Sequence, residues 1–167
     1  VLGQTKAPPK KDPPAKEGSS DANFYKAVKL QLAKDVGKGP FNPGEKLKFS
    51  FEIRNTTSDD LDVPVAKLGK DTVNSPGIEQ GWIERLGKDT TIKVYPPSAR
   101  KEAKYAAGGT TITSGNKIKA KEAIPLQYRE LDTKGYPEGK YRYTLELWDR
   151  NSKIVQTATF EFELKGK

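Results

Sequence analysis

The sequence predicts an all-β protein, an antiparallel β-sandwich preceded by an extended arm. Two alternating stretches and the placing of turn residues predict it. Between Lys140 and Leu164, Tyr141, Tyr143, Leu145 and Leu147 alternate with Arg142, Thr144, Glu146 and Trp148. After the turn Asp149-Arg150-Asn151-Ser152, Ala158, Phe160, Phe162 and Leu164 alternate with Thr157, Thr159, Glu161 and Glu163. From Lys46 to Asn55, Leu47, Phe49, Phe51 and Ile53 alternate with Lys48, Ser50, Glu52 and Arg54. A period of two puts one face of each strand in a core and the other in water. A lone hairpin is marginal in water, so the C-terminal hairpin needs a facing layer, which the early strand supplies.

In chain order, residues 1–23 are rich in Pro, Lys, Ser and Asp. Pro8-Pro9 and Pro13-Pro14 favour extended backbone and remove donors. This is the arm, and residues 24–167 form the sandwich. Val28, Leu30 and Leu32 mark a first strand within 26–35, broken by Gly37-Lys38-Gly39-Pro40. Asn42-Pro43-Gly44-Glu45 is a turn into the Lys46–Asn55 strand. Leu61, Val63 and Val65 make a short strand in which Pro64 forces an edge or a bulge. Composition makes 69–80 a loop. Trp82–Leu86 and Thr90–Tyr95, separated by Gly87-Lys88-Asp89, read as a hairpin. An insertion of about 96–121 follows. Ser98 is a helix N-cap and Gly108-Gly109 a stop, so a short helix or an irregular segment fits 98–109. Thr110–Ala120 reads as a small hairpin turning at Ser114-Gly115-Asn116. Ile124, Leu126 and Tyr128 alternate toward the final hairpin.

The chain has 167 residues, 34% hydrophobic and 31% charged, with no Cys, Met or His. The commonest general base and transition-metal ligand are therefore missing, as are disulfides and thiolate chemistry. No apolar run approaches the ~18 residues a membrane span needs. The net charge of +8 and pI near 9.5 favour acidic partners, anionic polysaccharide among them. Nucleic acid rests on charge alone, without a phosphate loop or recognition helix. A start at Val1 followed by a Pro/Lys-rich tail reads as a mature exported chain, periplasmic, secreted or on the cell surface.

Candidate chemistry is sparse. Asp59, Asp60 and Asp62 offer oxygens for calcium but lack the spacing of a calcium loop, and read as a solvated turn. No carboxylate pair or nucleophile motif stands out, so no enzyme, cofactor or metal is expected. Trp82, Trp148, Tyr95 and Tyr105 are candidates for a contact face. Trp148 lies on the face opposite Tyr143 and Leu145, where it either packs under a loop or the 98–121 insertion or, if exposed, meets a partner.

The run Pro137-Glu138-Gly139-Lys140-Tyr141-Arg142-Tyr143-Thr144-Leu145 resembles the start of the penultimate strand of immunoglobulin-like domains. With Pro43-Gly44-Glu45, Asn55-Thr56-Thr57 and the Trp82 hairpin, the order looks like bacterial extracytoplasmic immunoglobulin-like domains, whose fold some bacterial proteinase inhibitors share. The likeness spans roughly residues 24–164. It implies that Tyr141 is a corner tyrosine bonded back to nearby backbone. Tyr143 then stands where the second Cys would be, with Phe51 or Phe49 at the partner position. No functional residue carries over.

The resulting expectation is a non-catalytic, exported structural or accessory subunit that binds other protein chains in a homo- or hetero-oligomer. Its contacts are the arm (Leu2, Pro8, Pro9, Pro13, Pro14), the basic insertion (Arg100, Lys101, Lys104, Tyr105) and Trp148. The alternatives are a carbohydrate- or cell-wall-binding module, and a proteinase inhibitor presenting the 69–80 loop.

Overall fold

The computed structural model describes residues 19–87, 93–95, 110–151 and 153–167. The chain begins there with a helix, α1 (Ser19–Ala27), and not with extended arm. Residues 19–23 were expected in the arm, and Lys26 and Ala27 in a strand. Two local causes favour the helix. Ser19, Ser20 and Asp21 are residue types that start helices. Phe24 and Val28 recur four apart, and both are buried together with Tyr25.

Two sheets follow. In the first, β1 (Val28–Leu32) pairs antiparallel with β3 (Phe51–Asn55), from Val28 opposite Asn55 to Leu32 opposite Phe51. On its other side β3 pairs with β11 (Ala123–Pro125). Just upstream, β2 (Lys46–Phe49) pairs with β12 (Arg129–Asp132) as a separate two-stranded sheet. The single alternating stretch of the sequence is thus two strands, divided at Ser50, whose carbonyl accepts the Ala33 N–H at 3.0 Å. In the second sheet β13 (Gly139–Trp148) lies between β14 (Ile154–Leu164) and β7 (Gly77–Leu86). The other edge of β7 pairs with β8 (Lys93–Tyr95) and β9 (Thr110–Thr111). Phe41 joins this sheet by a parallel bridge to Leu164.

Two small antiparallel pairs complete the described residues. They are β4 (Leu61–Asp62) with β10 (Lys117–Ile118), and the ribbon β5 (Val65–Leu68) with β6 (Asp71–Asn74). Three expectations change here. Pro64 divides 61–65: Val63 is buried and Val65 is exposed. The 69–80 loop is instead the turn and second strand of the ribbon plus the start of β7. Its Asp, Asn and Ser read as loop, yet Thr72 and Val73 are strand formers on a glycine turn. Thr110–Ala120 does not close on itself, because β9 pairs with β7 and β10 with β4. β7 pairs antiparallel with β8 as expected, Ile83 opposite Tyr95, while residues 88–92, with most of the expected turn, lie outside the described residues.

The inner faces of the two sheets meet in one core. The Phe49 ring lies 4.9 Å from both Phe160 and Tyr143, and Phe51 lies 6.0 Å from Tyr143. Phe51, Ile53, Tyr141, Leu145 and Leu147 are fully buried. Tyr141 stacks on Phe162 at 5.4 Å, and its hydroxyl donates to the Pro137 carbonyl at 2.6 Å. Gly81, opposite Leu145, leaves room for the Tyr143 hydroxyl, which a Cβ would strike. The outer face of this sheet is not wet as expected: Trp82 and Glu84 of β7 and Thr144 and Glu146 of β13 are each less than a tenth exposed. As the central strand, β13 is shielded on both flanks. Trp82 stands opposite Thr144, and the Trp148 indole donates to Glu146 at 2.9 Å.

Gln156 ties the helix to the second sheet. Its Nε2 donates to the carbonyls of Tyr25 (3.1 Å) and Val28 (3.0 Å).

Candidate functional site

The features that point outward gather at one end of the molecule, around Arg150. This residue lies in the β13–β14 turn. Its Nε and Nη2 both bond Asp21 Oδ2 on α1, the first at 3.1 Å. Its Nη1 donates to the Val65 carbonyl on β5 at 3.3 Å. One side chain so joins helix, turn and ribbon. Asp149 holds the turn itself, accepting the Asn151 and Lys153 N–H groups at 2.8 and 3.0 Å. Three clefts of about 610, 570 and 220 Å³ open here, and both Asp21 and Arg150 line all three.

Tyr25 lies beside this pair and donates to the Pro76 carbonyl at 2.6 Å. Burial pushes its hydroxyl pKa up to about 12. The Asp21 and Asp149 carboxylates add to the rise and Arg150 opposes it.

The same end carries apolar surface. The registers align Thr110, Ile78, Trp148 and Ile154 side by side across β9, β7, β13 and β14. Ile154 is 50% exposed and Ile112, just past β9, 53%. On the ribbon Val65 is 47% and Leu68 43% exposed. Of the five large apolar side chains exposed among the described residues, these four lie on β5, just past β9 and on β14, and the fifth is Tyr128.

A second polar group is internal. Arg129 Nη2 donates to Glu79 Oε1 at 2.7 Å, and the Thr111 hydroxyl donates to Glu79 Oε2. The Arg129 guanidinium sits 5.7 Å from the Tyr143 ring centre. Burial raises the Tyr143 pKa, against the pull of Arg129. Glu79 and Thr111 are buried and none of these four residues lines the three clefts. The group clamps β7, β9, β12 and β13 together.

Of the residues singled out from sequence, Leu2, Pro8, Pro9, Pro13, Pro14, Arg100, Lys101, Lys104 and Tyr105 lie outside the described residues. Trp148 is half-buried, within the apolar row. Trp82 is 6% exposed and so presents no open stacking face. The aspartates of the 59–62 turn serve structure. Asp60 accepts the Ala120 N–H at 3.0 Å, and Asp62 pairs with Lys117 at 3.0 Å. Among the described residues no three metal-ligating side chains come together, and no helix is long and apolar enough to cross a membrane. Sequence reasoning missed Asp21 and Arg150, which are 129 positions apart with no local pattern to join them.

No protein-family model matches the chain, and no curated protein matches it. Among solved structures it is similar to the alkylpurine DNA glycosylase AlkC of Pseudomonas fluorescens, bound to DNA containing an abasic site analog. Identity is 14% and the TM-score 0.38, over 84% of this chain and 31% of the glycosylase. It thus spans about a third of that enzyme's length. It is also similar to a CARDB domain from Pyrococcus furiosus, solved in complex with di-metal ions. There identity is 12% and the TM-score 0.39, over 82% of this chain and 91% of the domain.

Proposed function

We propose that this chain is an immunoglobulin-like β-sandwich acting as a non-catalytic, exported accessory subunit, and that the Arg150 end is where it holds another protein chain. Three features favour the immunoglobulin-like reading. The early strand pairs with β1 and β11, while β7, β13 and β14 form the facing sheet. Phe41 crosses over to run parallel with the last strand. Tyr141 makes the backward bond of a corner tyrosine. The arm and the basic insertion stay in the proposal on their sequence.

One observation carries the binding reading: of the five large apolar side chains exposed among the described residues, four lie on β5, just past β9 and on β14, whose residues Val65, Thr110 and Val155 line the clefts. Such clustering marks a contact surface, whereas scattered exposed apolar residues need no explanation. The test is affinity capture from the native source with wild type, Ile154→Asp and Ile112→Asp. Both sites are half exposed, so the variants should melt near wild type. The reading expects a stoichiometric protein partner that both variants lose. A partner held equally by all three chains, or none captured, counts against it.

A further inference from the structure

We infer that the open edge of β5 accepts an extended, acidic segment of the partner polypeptide as an added strand. The inference rests on the protein-binding reading above and adds the docking mode. Leu68 and Asp71 flank the two-residue turn Gly69-Lys70, with Gly69 at φ +63°. Glycine takes that conformation at the first turn position of a type II′ hairpin. The residues next to such a turn exchange both backbone bonds, and pairs alternate from there. Leu68 with Asp71 and Ala66 with Val73 therefore bond across the ribbon. Val65 and Lys67 aim their backbone groups away from β6.

Two contacts agree with that phase. The Val65 carbonyl reaches Arg150 on one side, and the Asn74 carbonyl accepts the Thr113 N–H at 3.1 Å on the other. The outer edge of β6 is thus engaged at Asn74. Among the described residues no backbone group bonds to the outward N–H and C=O groups of Val65 and Lys67, β6 being the one strand beside β5, and the Val65 carbonyl keeps a lone pair besides the one that meets Arg150.

The surroundings select the occupant. The 220 Å³ cleft runs beside this edge, between Val65, Ala66 and Lys67 on one side and Tyr25, Ile78 and Thr110 on the other. It has room for an apolar side chain of an added strand. Lys67 and Lys70 are exposed and form no ion pair among the described residues. A second copy pairing edge to edge would bring lysine against lysine, which is unfavourable, whereas a carboxylate on the incoming strand is favoured. Main-chain bonds supply affinity in this mode, and the side-chain contacts supply selectivity.

The experiment uses the full chain and a phage-displayed random dodecapeptide library, followed by titration of the best synthetic peptide. Lys67→Pro removes the outward N–H and spares the bonds to β6; Thr72→Pro makes the equivalent change on the opposite edge. NMR contacts between Ala66 and Val73 check that the ribbon survives in both. The expected result is acid-rich peptides that protect the Val65 and Lys67 amides from exchange. Lys67→Pro should bind them roughly tenfold or more weaker, with Thr72→Pro near wild type. Failure to select any peptide, protection elsewhere, or equal binding by Lys67→Pro would overturn the inference. So would concentration-dependent dimerisation through β5. The native partner separates the two readings. If Ile154→Asp loses it but Lys67→Pro keeps it, the protein-binding function stands and strand addition falls.

Discussion

The Tyr141 hydroxyl donates to the carbonyl of Pro137, four residues back, at 2.6 Å, while its ring is fully buried against Phe162. The bond fixes the angle at which the chain leaves Pro137-Glu138 and enters β13. Gly139, at φ +148°, makes the bend possible. Tyr141→Phe keeps the ring and removes the bond. It should cost about 1 kcal/mol, read by urea titration with an unchanged m-value. A loss within error of zero would mean that the bond adds nothing to the corner.

Phe51→Ala and Phe160→Ala each truncate an aromatic in the shared core of the two sheets. Each should destabilise by roughly 3–5 kcal/mol. Phe51 and Phe160 both pack near Phe49 and Tyr143, so the double variant should lose less or more than the sum. Single-variant losses below about 1 kcal/mol would contradict this packing.

Asn55 is completely buried and makes every bond an amide can make there. Its two Nδ2 hydrogens are shared among the carbonyls of Asp59 (2.7 Å), Ile118 (3.0 Å) and Lys119 (3.2 Å). Its Oδ1 accepts from the Thr57 N–H and hydroxyl at 2.9 and 2.8 Å. Asn55→Ala leaves these groups unpaired, so a loss of about 2–4 kcal/mol is expected. Exchange should speed up at Thr57 and at the amides of 118–122. Asn55→Asp should not rescue it, since a carboxylate has no hydrogen to donate to these carbonyls.

Tyr25 sets a pH dependence. Its pKa is near 10 in the unfolded chain and about 12 in the fold. The raised value favours the neutral hydroxyl in the folded state. The stability it contributes is therefore intact below pH 10 and lost as pH rises toward 12. Wild type should lose more stability than Tyr25→Phe between pH 10 and 12, in melts at matched ionic strength. Parallel curves for the two chains would show that burial does not hold the Tyr25 proton.

The β-rich character, the inward residues of β2, β3, β13 and β14, and the position of Tyr141 were legible in the sequence. Each rests on alternation or on a short local spacing, and such patterns survive because side chains on a strand must face one side or the other. The same local rule explains what went astray. The 69–80 segment carries loop-forming residue types, and only the pairing of Val65–Leu68 with Asp71–Asn74 makes it a ribbon. Thr110–Ala120 has the pattern of a hairpin, yet Thr110 and Lys117 pair with strands far away in the chain, which no local window contains.

What the sequence by itself determined is the layer of short-range choices: where strands alternate, where turns fall, that no cysteine, histidine or methionine takes part, and that the chain is basic. What only the tertiary structure decided is which of those pieces meet. Asp21 and Arg150, Asn55 and Ile118, Gln156 and Val28, and Glu79 and Arg129 are each brought together across long stretches of chain. The physical reason is the difference between the two kinds of information. Burial imposes a periodic demand on every strand, which is written locally. A buried or half-buried polar group needs a particular partner, and the identity of that partner exists only once the sheets have packed.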